Sequence, residues 1–143
     1  DWGCGGFLFI PPSTLLGYAH PWTAAERTDA FVLARESTGA FELMGAGHWM
    51  DRFSRRCSRL RVQLELDSAS SVYGLENAYS EKPLLLPLIQ SVRRTSASCH
   101  ITLRVRHILA RFNACADHLS HGRIADARCL ASEEFGVDLV MVR

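Results

Sequence analysis

Three acidic residues, Glu42, Asp67 and Asp117, stand where separate elements of a chain can bring them together. Glu42 falls early in a segment of helical periodicity, Asp67 closes an alternating segment, and Asp117 opens the helical stretch after the next alternating one. Ligands and metals in open α/β sheets gather at the carboxyl ends of strands. Mg²⁺ takes a few carboxylates and completes its shell with water and phosphate oxygens, so acids on a rigid sheet edge suit two-metal phosphodiester hydrolysis. A plainer reading stands beside this one. The chain carries 15 acids, enough for some three to fall near element ends by chance.

His107 ends an alternating segment, where an imidazole that titrates near ~6.5 can exchange protons at working pH. A partly exposed strand-end histidine also needs no such role. Arg52, Arg55, Arg56, Arg59 and Arg61 fall within a stretch that contains no acid, and Arg93, Arg94, Arg104 and Arg106 form a looser cluster. Such density suits phosphate contact, and it equally suits a solvated helix end with cations near the C-terminal dipole. Cys115, His118 and His121 recur at three-residue intervals, with Cys129 following. On one helix these would fan around the axis, and no second close pair completes a zinc-finger spacing, so the pattern argues against zinc.

The elements that must position these residues can be read from periodicity. Gly3, Gly5 and Gly6 precede the apolar run Phe7–Ile10, which Pro11 and Pro12 stop, giving a short strand, with a second near Leu15–His20. Residues 23–35 have little pattern and read as loop or broken strand. Ala40, Leu43, Met44, Gly47 and Met50 make a helical stripe running to about Arg56, capped by Ser37 or Thr38. Gly39, Gly45 and Gly47 weaken that helix unless close packing calls for them. Arg61–Asp67 alternates as a strand, Ser68 or Ser70 caps a helix through about Tyr79, and Lys82–Thr95 is helical, with Pro83 in its first turn and Pro87 expected to bend it. His100–His107 is the next strand. The tail from Asn113 to Glu134 reads as two helices broken at Gly122, and Leu139–Val142 as a short strand or a link to the next domain. Hairpin strands followed by strands joined through helices predict a mixed α/β sheet flanked by helices, in a single domain over 1–143.

Composition agrees with a core-forming chain: 143 residues, 48% hydrophobic and 22% charged, with a formal net charge of +1. So small a net charge says nothing for or against a polyanionic partner. No apolar stretch is long enough to span a bilayer, so no membrane association is expected. Five cysteines without CxxC spacing argue against a disulfide framework and predict reduced thiols in an intracellular protein, in cytoplasm or nucleus. The abrupt start at Asp1 suggests a fragment of a longer polypeptide.

Four segments in order resemble one family. His107-Ile108, Asn113 and Ala116-Asp117-His118-Leu119-Ser120 resemble the "HI…N..AD.LS" signature of ribonuclease H domains in retroelement reverse transcriptases, in the form found in retrotransposons of the tyrosine-recombinase type. Asp1-Trp2-Gly3-Cys4-Gly5-Gly6 resembles the glycine turn after the first catalytic strand, Phe41-Glu42-Leu43 the helix "EL" motif, and Leu66-Asp67-Ser68 the strand-end "DN" or "DS" motif. The resemblance implies a ribonuclease H-like mixed sheet, truncated at its N-terminus, with Glu42, Asp67 and Asp117 holding two Mg²⁺ ions, or Mn²⁺ in their place. It implies that His107 assists water activation or product release and that Asn113 holds the adjoining loop or contacts substrate.

The family's first aspartate normally stands about three residues before the position of Asp1, so it lies upstream, or Asp1 itself takes its place in a shortened variant. The usual Pro-Gly after "HI" is Leu109-Ala110 here, and the common arginine after "LS" is His121. The implied activity is cleavage of RNA in an RNA/DNA hybrid, with adjoining polymerase and recombinase domains in the same polypeptide. The arginines at 52, 55, 56 and 59 are the candidates to grip phosphates. The alternative is an inactive ribonuclease H-like module that binds nucleic acid or connects domains, as a decaying element copy would provide.

Overall fold

The computed structural model describes residues 2–34 and 39–143. In chain order the elements are β1 (Gly3–Ile10), β2 (Thr14–Pro21), α1 (Ala24–Ala34), α2 (Ala40–Phe53), β3 (Arg61–Leu66), α3 (Ala69–Asn77), α4 (Leu86–Ser98), β4 (Thr102–His107), α5 (Ala114–Ser120), α6 (Ile124–Phe135) and β5 (Leu139–Met141). A short 3₁₀ turn at Pro83–Leu85 leads into α4, and another at Ala110–Phe112 precedes α5. The class is α/β, as the sequence predicts. The chain forms two compact units, Asp1–Thr23 with Ala110–Arg143, and Ala24–Leu109.

In the first unit β1 and β2 form an antiparallel hairpin, and β5 adds parallel to β2, giving the order β1-β2-β5. Leu15, Cys115, Leu119, Ala127, Ala131 and Leu139 form its buried core, with Phe7 and Phe9 packed against Phe135 at ring distances of 5.5 and 5.0 Å. The glycines of β1 have a specific use. A Cβ at Gly5 would lie 2.3 Å from the Leu119 backbone, so α5 reaches β1 only because that side chain is missing. Gly122, at φ 71, separates α5 from α6 where the sequence places the break.

In the second unit β3 and β4 are parallel, with Leu64 opposite Val105 and Leu66 opposite His107. Val62, Leu64 and Leu66 are buried while Arg61, Gln63 and Glu65 face solvent, so the predicted alternation holds. α2 buries Ala40, Leu43, Ala46, Trp49, Met50 and Phe53, a stripe partly different from the predicted one, since aromatic residues fill it in place of Met44 and Gly47. Gly39 does pack closely, because a Cβ there would come within 3.0 Å of three serine hydroxyls; Gly47 faces open space.

Three expectations are corrected here. Residues 24–34 form a helix, α1; its alanines and Glu26 favour helix intrinsically, although they make no apolar stripe. Pro87 lies in the first turn of α4, where its missing N–H has no helical partner to lose, so it starts the helix instead of bending it. The strand expected from His100 begins at Thr102, because His100 adopts the left-handed conformation, φ 55, that ends α4. There the Ile101 N–H returns to the Ser96 carbonyl at 2.9 Å. The expected caps Ser37 and Thr38 lie outside the described residues. Ser68 is the N-cap of α3, accepting from the Ser71 N–H at 3.3 Å.

Candidate metal-binding carboxylate site

Parallel strands present their carboxyl ends on one side of a sheet, and in the second unit those ends carry Asp67 and His107. Asp67 follows Leu66 directly, His107 is the last residue of β4, and the Ile108 N–H bonds the Leu66 carbonyl at 2.8 Å, so the two strand ends stay in register. Glu42 comes to the same place from the first turn of α2. Its Oε1 accepts a hydrogen bond from the Asp67 backbone N–H at 3.2 Å. The hydrogen bond spans 25 residues of sequence, so packing of the helix start against the strand end makes it.

The electrostatics of the pair follow from that approach. Burial raises the Glu42 carboxyl to about 7, and the charge of Asp67 raises it further within that figure, while the backbone hydrogen bond pulls the other way. Two acids so placed disfavour double ionisation, and a divalent cation relieves the repulsion that a proton otherwise relieves. All donors here are hard oxygens, the set that Mg²⁺ and Mn²⁺ prefer. Among the described residues of this unit, no three His, Cys, Asp or Glu ligand atoms converge on one point. Glu42 and Asp67 would supply two ligands to a cation there, which would need others.

The remaining predicted residues are placed as follows. Asp117 belongs to the first unit, in the first turn of α5, with its side chain 60% exposed and 3.5 Å from His121 Nε2. Asn113 occupies the N-cap position of that helix, and its carbonyl accepts from the Asp117 N–H at 3.0 Å. Asp1 lies outside the described residues. In the second unit, Arg55, Arg56 and Arg59 are exposed beyond the end of α2, at the start of β3. A strand rise of about 3.3 Å per residue puts that end roughly 20 Å from Asp67, so these arginines stand far from the carboxylate pair. Arg52 turns inward, with one guanidinium nitrogen 3.1 Å from His48 Nδ1.

That contact belongs to a pairing the sequence reading missed. His48 Nε2 lies 2.6 Å from Glu26 Oε2. Arginine can only donate, so Nδ1 accepts, and the ring proton sits on Nε2 facing the carboxylate. Glu26 lies in the segment read as loop, and the bond to His48 crosses 22 residues, so no local pattern announces it. The cysteine and histidine set considered for zinc stays apart. The Cys115 thiol is buried and directed to the Ala127 carbonyl at 3.8 Å, whereas Cys129 is exposed beside Glu133.

Comparison with protein-family models, with curated proteins and with solved structures gives no match to this chain. Its functional reading rests on its own residues.

Proposed function

We propose that this chain is a ribonuclease H-like domain of a retroelement reverse transcriptase that cuts the RNA strand of RNA/DNA hybrids. The observation that carries the reading is the meeting of Glu42 and Asp67 at the carboxyl end of β3, with Glu42 raised to about 7. The order of the family-like segments around Glu42, Asp67 and Asp117 supports it. In this reading Glu42 and Asp67 hold divalent cations, and Asp117 is a further carboxylate assigned by resemblance. Cations bound there would supply the positive charge that stabilises the attacking and leaving oxygens of an in-line displacement. Glu42 Oε1 accepts the Asp67 backbone N–H, so the Glu42 carboxylate is oriented before any ligand arrives. His107, exposed at the neighbouring strand end, is the residue that the resemblance assigns to water activation or product release. Asn113 and the exposed Arg55, Arg56 and Arg59 contact the hybrid. The same reading puts the chain inside the cell, next to polymerase and recombinase domains.

The test uses the protein with a labelled RNA/DNA hybrid and Mg²⁺. Cleavage should leave 3′-hydroxyl ends, and Asp67→Asn and Glu42→Gln should each lower the rate at least ~100-fold. Hybrid binding without cleavage in the unaltered protein would instead assign the inactive connecting module.

A further inference from the structure

A cavity of about 430 Å³ opens between the start of α2, the body of α3 and the start of α4, a volume typical of small-ligand sites. Its floor is apolar, made by the buried side chains of Leu43, Leu85 and Ile89. Its mouth carries Tyr73 and Tyr79, which remain 61% and 52% exposed. The backbone makes this rim. Ala78 ends α3 in the left-handed conformation, φ 52, and the Tyr79 N–H turns back to the Gly74 carbonyl at 3.1 Å. A Cβ at Gly74 would lie 2.9 Å from Ile89 and 3.2 Å from the Tyr79 carbonyl, so a glycine there lets the returning chain close on the helix. Polar residues line the same opening: Ser70, Ser80, Glu81 and Lys82.

We propose that this cavity binds an unpaired nucleobase. An aliphatic guest would use the floor alone, leaving two tyrosine rings in water. A flat heteroaromatic ring uses the floor and the tyrosine faces together, and carries an edge of donors and acceptors. Glu81 can accept from an exocyclic amine, while Lys82 and the serines donate to ring nitrogens, carbonyls or an attached phosphate. Stacking on exposed aromatic rings is how unstacked bases are held elsewhere. Leu43 directly follows Glu42, and Ser70 lies shortly after Asp67, so the base would sit beside the carboxylate pair. The proposal does not rest on the hydrolase reading, because base binding needs neither metal nor cleavage.

The experiment titrates the protein with adenosine monophosphate in metal-free buffer while recording backbone amide shifts. Shifts should concentrate at Ser70, Tyr73, Tyr79, Ser80 and Ile89 and saturate. Tyr73→Ala and Tyr79→Ala, both at exposed positions that leave the core intact, should each weaken affinity at least ~10-fold. A single-stranded oligoadenylate that binds tighter than the monophosphate identifies a nucleic-acid strand as the source; equal affinity identifies a free nucleotide. Ribose 5-phosphate reproducing the same shifts would overturn the proposal in favour of phosphate alone. So would cyclohexanol binding as tightly as the nucleotide, or tyrosine variants that keep full affinity.

Discussion

Glu42 illustrates how a tertiary contact alters a single side chain. Its carboxyl is raised from 4.5 to about 7 by burial first and by Asp67 second, so the folded protein holds a proton there that the unfolded chain releases. Stability from this group is full below pH 4.5, falls as pH rises through the window to about 7, and is flat above it. The loss is on the order of 3 kcal/mol. Glu42→Gln should flatten stability between pH 5 and pH 8 and raise it at the upper end, as read by urea unfolding in the presence of a chelator. An unchanged slope would mean that the Glu42 carboxyl is not raised in the folded protein. Glu42, Asp67 and Asp117 were visible as candidates because acids at element ends are a one-dimensional pattern. The Asp67 N–H bond to Glu42 was not, and neither was the Glu26–His48 pair, since both cross more than 20 residues and depend on helix placement.

At the scale of elements, two glycines predict opposite outcomes. Gly5→Ala places a methyl group 2.3 Å from the Leu119 backbone, which cannot yield as a side chain can, so α5 must shift off β1. The expected cost is roughly 3 kcal/mol or more, read as a lowered midpoint in thermal unfolding. Gly47→Ala adds a methyl into open space in the middle of α2 and should stabilise by about 1 kcal/mol in the same assay. The strands β3 and β4 make a third case. Alternation leaves Arg61, Gln63, Glu65, Thr102, Arg104 and Arg106 exposed, so the solvent face of this sheet carries three arginines against one acid. If hybrid phosphates reach that face, Arg104→Ala with Arg106→Ala should reduce the salt slope of binding by up to ~2, and an unaltered slope would remove the face from the interface. Strand β3 and the break at Gly122 were legible in sequence because period-two alternation and a glycine interruption are local signals. α1 was not, because its helical preference lies in residue type and leaves no stripe.

At the scale of the whole molecule, no helix among the described residues is long and apolar enough to cross a membrane, and the net charge of +1 gives no global attraction to a polyanion. Local groups must therefore carry any binding. If Glu42 and Asp67 hold a divalent cation, the cation competes with the Glu42 proton. Mg²⁺ should then raise the melting temperature more at pH 8 than at pH 5.5, and Asp67→Asn should abolish the difference. Equal shifts at both pH values would place the ion elsewhere. The sequence by itself determined the α/β class, most strand and helix positions, and the acids worth testing, because periodicity and residue chemistry are written along the chain. Only the tertiary structure decided the division into two units, the Glu42–Asp67 contact and the tyrosine-rimmed cavity. Each depends on which distant surfaces pack together, and packing is a property of complementary shapes that no local spacing encodes.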